Sequence, residues 1–218
     1  MIEFIFMLTR DDKTLGDARD VYASIAGSGV RHVGCKDLGL PVAELQGLMS
    51  DIKANGHTTH LEVVSESEEA TLASARAAAE IGPPGTPGRP RYCPFPGRVV
   101  DHPSILEGTV KDITESARAL SARDGVDGLD LLAYRWTGDV PALVRSVVAA
   151  SAGPVIAAGS VDSAERIQAL NDAGAWAFTI GGAIFDRKLP AGPSVREQVD
   201  AALAMTAAAG REVVADGA

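Results

Sequence analysis

Cysteine is nearly missing from this chain. Only Cys35 and Cys93 occur in 218 residues, each inside an apolar, strand-like run, which argues against a disulfide framework or a cysteine metal cluster and leaves two reduced core thiols. Basic residues are also in deficit, 20 Lys and Arg against 29 Asp and Glu for a formal net charge of -9. An acidic surface of this kind offers no nucleic-acid footprint. No apolar run approaches the ~20 residues that a membrane span requires. The opening MIEFIFMLTRDD has neither a basic flank nor a cleavage-like region. A soluble, cytoplasmic protein without a membrane or nucleic-acid partner is therefore expected. Nor is there a second composition regime, so residues 1–218 read as one domain.

What is present is a rhythm. Apolar β-type runs alternate with Ala-rich helical stretches, the mark of βαβ units and a parallel sheet. Seven strands are predicted, at Glu3–Thr9, Arg31–Asp37, Thr58–Val64, Arg91–Pro96, Gly128–Tyr134, Pro154–Gly159 and Trp176–Ile180. The predicted helices are Leu15–Gly27, Pro41–Ala54, Ser67–Ile81, Ser104–Ala122, Val140–Ala152, Ser163–Ala173 and Ser194–Ala209. Asp162 with Glu165, and Ser65 with Glu68, fit the capping-box pattern at two helix starts.

Such sustained alternation favours an α/β fold of the TIM type, a (β/α) barrel, over an open doubly wound sheet. The stretch GPPGTPGRP, residues 82–90, interrupts it. It is too short and too rich in proline and glycine to hold a strand and a helix, so it reads as a connection replacing one βα unit. The consequence is a seven-stranded or gapped barrel. Its edge could be covered by this loop or by a neighbouring subunit, which makes a homo-oligomer possible. Residues 211–218 read as a flexible tail.

The stretch AGSVDSAERIQALNDAGAWAFTIGGAIF, residues 158–185, sets a Gly-Ser pair and a Gly-Gly pair directly after the last two predicted strands. TIM barrels hold their active sites at the C-terminal strand ends, and phosphate often sits in the loops after the last two strands. Glycine there lets backbone N–H groups approach an anion closely. The backbone amides of Gly159, Ser160, Gly181 and Gly182 are the candidate phosphate donors, and a small phosphorylated substrate is the implied partner. Taken singly, each glycine is equally an ordinary turn residue.

The segment PVIAAGSVDSAERIQALNDAGAWAFTIGGAIF resembles the last two units of ribulose-phosphate-binding barrels, above all N-acetylmannosamine-6-phosphate epimerases. FMLTRDDKTLGDAR, KDLGLPVAEL, LEVVS, PFPGRVVDHPSILEG and GVDGLDLLAYR resemble a bacterial barrel family sometimes labelled 4-hydroxythreonine-4-phosphate dehydrogenase. The resemblance implies the barrel and the phosphate grip. It does not carry over the epimerase acid-base pair, because Ala158 stands where that pattern has an acidic residue and Glu62 where it has a lysine. The dehydrogenase label gains no support from a dinucleotide fingerprint or a metal-binding histidine set, and no cofactor or metal is expected. His57, His60 and Glu62 are too weakly spaced to assign a metal.

Strand alternation supplies the candidates for chemistry. In HVGCKD, His32, Gly34 and Lys36 share the inner face, with Val33 and Cys35 facing helices; THLEVV sends His60 and Glu62 inward; GLDLLAYR puts Asp130, Leu132 and Tyr134 on one face, with Arg135 at the strand end. Lys36 could polarise a carbonyl or form a Schiff base while Glu62 or Asp130 moves a proton; the alternative is a structural Lys36–Glu62 ion pair. Arg98 and Arg135 are candidate anion contacts. His102, in the loop VVDHPS, is a candidate general acid or base, or else an exposed loop histidine. Arg10 could contact an anion, or with Lys13 merely balance Asp11 and Asp12 on the surface. The leading expectation is an isomerase or epimerase of a small phosphorylated sugar. The alternatives are a lysine-dependent aldolase or lyase and a non-catalytic phosphate-binding scaffold.

Overall fold

A computed structural model describes residues 2–81 and 90–215. In chain order its strands are β1 (Glu3–Met7), β2 (Thr9–Arg10), β3 (Lys13–Thr14), β4 (His32–Lys36), β5 (Thr58–Glu62), β6 (Arg98–Val100), β7 (Ile105–Glu107), β8 (Leu129–Leu131), β9 (Val155–Ala157) and β10 (Ala177–Ile180). Its helices are α1 (Ala18–Ser24), α2 (Val42–Ala54), α3 (Glu68–Glu80), α4 (Val110–Ser121), α5 (Val140–Ala150), α6 (Ala164–Asp172), α7 (Gly182–Phe185) and α8 (Val195–Ala215). Six strands form one parallel sheet in the order β5-β4-β1-β10-β9-β8. This is a curled, TIM-type sheet, open between β5 and β8 among the described residues.

The strands read as continuous apolar runs because helices cover one face while the curl encloses the other. Phe4, Phe6 and Leu8 point outward and join Val33, Cys35 and Phe178 in the main core beneath the helices. Phe4 and Phe178 stack there with ring centroids 5.6 Å apart. The inward residues Ile5, Met7, Ile156 and Ala177 form a smaller interior cluster against Trp176. Burying each such large side chain contributes about 1.5–3 kcal/mol. Both cysteines are free, Cys35 buried and Cys93 half-buried.

Six of the seven predicted barrel strands lie in this sheet. Arg91–Pro96 does not, and the reason is chemical. Pro94 and Pro96 have no N–H to give to a ladder. The segment lies beside β8 chiefly as an acceptor, taking Asp127 N–H on the Tyr92 carbonyl at 2.8 Å and Asp130 N–H on the Pro94 carbonyl at 3.1 Å. The connection expected at residues 82–90 lies, apart from Pro90, outside the described residues.

Other boundaries move for equally local reasons. The helix predicted from Ser104 begins at Val110, where Thr109 and Asp112 form a reciprocal capping box, and the residues before it form the β6–β7 ribbon. Ser67 and Ser163 cap α3 and α6 in place of Ser65 and Asp162. Helix α8 runs through Ala215, into the stretch read as a tail. Asp37 ties β4 to the far side of β5 and to α3, accepting from Val64 N–H at 2.8 Å, Ser65 Oγ at 2.6 Å and Ser74 Oγ at 3.0 Å.

Candidate functional site

Alternation along β4 turns Lys36 into the curl at the strand's C-terminal end, and the β4–β5 register sets Glu62 directly opposite it. The Lys36 ammonium lies 2.8 Å from Glu62 Oε2 and 2.9 Å from Asp12 Oδ1. All three side chains are buried. Asp12 comes from the β2–β3 hairpin, whose two-residue turn places Asp11 at φ 50° and Asp12 at φ 56°. That geometry favours Asn-Gly, so two aspartates there carry strain that surrounding contacts must offset. Thr14 supplies part of the offset by fixing the hairpin to β4, its Oγ1 accepting from Lys36 N–H at 2.8 Å and donating to the Lys36 carbonyl at 2.7 Å. Asp12 supplies more, accepting from Ser104 N–H at 2.7 Å and from Arg135 Nη2 at 3.4 Å.

These contacts set the charge states. Burial pushes the Asp12 carboxyl up, but Lys36, the Ser104 N–H and Arg135 outweigh it and hold Asp12 below the usual carboxylate range. Burial likewise works against the Lys36 ammonium, yet Glu62 and Asp12 raise its pKa above the ordinary lysine value. Asp130, buried nearby on β8, goes the other way. Burial, reinforced by Glu62 and only opposed by Lys36, raises it well above the usual range and favours the uncharged acid. Its Oδ1 finds no hydrogen-bond partner among the described residues, and neither does the buried Nε of Arg135.

A cavity of about 180 Å³ joins this charged end to the glycine loops. Lys36, Glu62, Arg135, Gly159, Ser160, Gly181 and Gly182 all line it. Gly159 (φ 82°) and Ser160 (φ 53°) turn the chain sharply after β9, and a side chain at Gly159 would strike Arg135 Cγ at 2.5 Å. At Gly181 a Cβ would meet the Thr9 carbonyl oxygen at 2.5 Å, whereas Gly182 faces open space. The first N–H groups of α7 have no acceptor within that helix, and Gly181, Gly182 and Ala183 line the cavity together.

Three sequence expectations place differently. Arg98 lies on the surface ribbon, its side chain 78% exposed and paired with Glu107 at 3.2 Å, because the cross-strand register sets the two opposite each other. His102 is exposed in the turn of the same ribbon and does not line the cavity. Tyr134 leaves the Asp130 face because β8 ends at Leu131 and a 3-10 turn over Ala133–Arg135 breaks the alternation; its ring packs under Arg166 instead, 4.6 Å from the guanidinium carbon. Several cavity residues escaped the sequence reading, Asp12, Ser104 and Lys188 among them. Asp12 is buried at the centre, not balancing charge on the surface, and RDDK directly after the first strand was the available signal. Ser104 and Lys188 also line the cavity, and Lys188 has no ion pair among the described residues. Arg10 is at the mouth, paired with Asp186 at 2.8 Å. Among the described residues no group of three or more His, Cys, Asp or Glu is arranged to hold a metal.

No family model matches the chain, and no curated protein sequence does. Solved structures share its fold. (S)-3-O-geranylgeranylglyceryl phosphate synthase from Thermoplasma acidophilum is 16% identical with a TM-score of 0.60, over 94% of this chain and 92% of that one. Tryptophan synthase from M. tuberculosis gives 15%, 0.60, 96% and 94%. Thiamine phosphate pyrophosphorylase from Pyrococcus furiosus gives 13%, 0.58, 95% and 96%. At these identities the likeness is one of architecture, and it extends over nearly the whole of each chain.

Proposed function

We propose that the chain is an enzyme that moves a proton beside the carbonyl group of a small phosphorylated sugar, as an isomerase or epimerase does. The phosphate lies in the loops holding Gly159, Ser160, Gly181 and Gly182, and Arg135 flanks it. The carrying observation is the Lys36 ammonium between two buried carboxylates, in the same cavity as both glycine pairs. Glu62 takes the proton from carbon, the electron pair moves onto the carbonyl oxygen, and Lys36 stabilises the charge that develops there. Asp130, which favours its protonated form, supplies the proton that returns to carbon and is left as the carboxylate while Glu62 holds the proton it took. Supporting the phosphate reading, the geranylgeranylglyceryl phosphate synthase of like fold binds sn-glycerol-1-phosphate, a small phosphate ester. The resemblance of residues 154–185 to epimerase barrels points the same way.

An imine mechanism needs an uncharged lysine, and both neighbours of Lys36 favour its charged form. This speaks for direct proton transfer over the aldolase alternative. The test is incubation with a panel of sugar phosphates in D2O, following loss of the proton signal beside the carbonyl. Exchange is expected with the native chain and should fall about 10²–10⁴-fold in Glu62→Gln. A borohydride-trapped adduct on Lys36 would move the reading to a lysine-dependent lyase, and absence of exchange with every sugar phosphate would favour a non-catalytic barrel.

A further inference from the structure

We propose that the site selects a phosphomonoester of three or four carbons whose far end is uncharged, a hydroxyl or a carbonyl and not a carboxylate or a second phosphate. This rests on the phosphate reading above and narrows it. The observation behind it is how unevenly charge is committed along one cavity.

At the glycine end, Lys188 is a lining cation with no ion pair among the described residues. Its charge is available to an anion seated beside the amides of Gly181 and Gly182. Every other lining cation already has a carboxylate. Lys36 is held by Asp12 and Glu62, Arg135 reaches Asp12, and at the mouth Arg10 reaches Asp186. Asp11 lines the same wall. In all, five carboxylates line the cavity against four cations.

A second anion entering the Lys36 end would have to displace Glu62 or Asp12 from the ammonium, or stand beside them without a counter-charge. Either is unfavourable in a buried setting. A hydroxyl or carbonyl meets no such barrier. Both accept from the Lys36 ammonium, and a hydroxyl also donates to a carboxylate oxygen. Discrimination therefore comes from repulsion at one end as much as from attraction at the other.

Size sets the second limit. About 180 Å³ is little more than the roughly 150 Å³ of a cavity that accepts benzene, and less than the ~300–1,000 Å³ of pockets for drug-sized ligands. A phosphate with a short carbon chain fits that volume, whereas a hexose chain extends beyond it.

Calorimetric titration of the full chain with dihydroxyacetone phosphate, 3-phosphoglycerate, glucose 6-phosphate and inorganic phosphate tests this directly. The first two share a three-carbon skeleton and a phosphate; the first ends in a hydroxymethyl beside a ketone, the second in a carboxylate beside a hydroxyl. Dihydroxyacetone phosphate is expected to bind at least about tenfold more tightly than 3-phosphoglycerate or glucose 6-phosphate. Glu62→Gln should narrow the first gap by improving 3-phosphoglycerate, while Lys188→Ala, an exposed change, should weaken all the esters together. Equal or tighter binding of 3-phosphoglycerate would overturn the selection for an uncharged end while leaving the phosphate grip standing. Equal binding of glucose 6-phosphate would overturn the size limit alone. If none of the four binds, the phosphate reading fails and this inference fails with it.

Discussion

Lys36 and His32 share strand β4, and Glu62 and His60 share β5, yet the two ends of the enclosed space respond to burial in opposite ways. At the upper end charge is kept by pairing: the ammonium touches two carboxylates at 2.8 and 2.9 Å. At the lower end charge is given up. His32 Nδ1 and His60 Nε2 are 3.0 Å apart, Trp176 meets the His32 ring edge-on, and burial pulls both histidines below their usual pKa, His60 to about 4. The histidine pair bridges β4 and β5 in its uncharged form, with the Glu3 carboxylate 3.7 Å from His32 Nε2. A retained buried charge is costly, and the fold keeps one at the upper end by pairing while leaving the histidines at the lower end neutral.

The largest effect should come from removing the charge at the upper end. Lys36→Met leaves Asp12 and Glu62 buried without their shared ammonium, a change expected to cost about 3–5 kcal/mol. Urea unfolding at pH 7 measures it. A loss below about 1 kcal/mol would mean that water already screens the cluster, and the contrast between the two ends would disappear.

Acid should act mainly at the lower end. His60 is held below its ordinary value of 6.5, at about 4, by burial and then by His32. Between those two pH values the unfolded chain takes up a proton that the folded chain refuses, so stability is full above pH 6.5 and is lost as pH falls toward 4. At 1.36 kcal/mol per pH unit the loss has an upper figure of roughly 3 kcal/mol, reduced because the ring keeps some solvent contact. The readout is stability against pH in the native chain and in His60→Gln. An unchanged slope in the variant would assign the acid sensitivity elsewhere.

Between the two ends lies Gly34, where an added Cβ would press on the Met7 sulfur and lie 3.3 Å from the His60 Cβ. Because the Met7 side chain is flexible, Gly34→Ala should cost only about 1–2 kcal/mol. If it cost much more, the two layers would be one rigid unit, and the separate responses predicted above should appear together.

Legibility in the sequence followed the range of the interactions. Buried parallel strands announce themselves as apolar runs, and period-two alternation was enough to send Lys36, Glu62 and Asp130 inward. It failed at Tyr134, because nothing in GLDLLAYR marks where the ladder stops. It failed at Arg91–Pro96 because composition suggested a strand while the two prolines withheld its donors. Ser104–Thr109 looked helical until the Thr109 cap and the ribbon pairing fixed the start at Val110. Asp12 was hidden most deeply. Its burial depends on Ser104 and Arg135, 92 and 123 residues away, and two adjacent aspartates in a turn look like solvated charge until those partners are in place.

The smallest stability effect should belong to Asp130, although it is buried as deeply as Asp37 and Glu62. Because its environment favours the uncharged acid, Asp130→Asn exchanges one neutral group for another of nearly the same shape. Stability at pH 7 should change by less than about 1 kcal/mol. Proton exchange on a substrate should nevertheless fall by about 10²–10⁴-fold, since an amide cannot supply the proton that returns to carbon. Unfolding and exchange measured on the same preparation separate the two quantities. A large stability loss with exchange intact would mean that Asp130 is ionised and paired in solution, so the upper end would hold three charged carboxylates around one lysine and the division of labour between Glu62 and Asp130 would have to be abandoned.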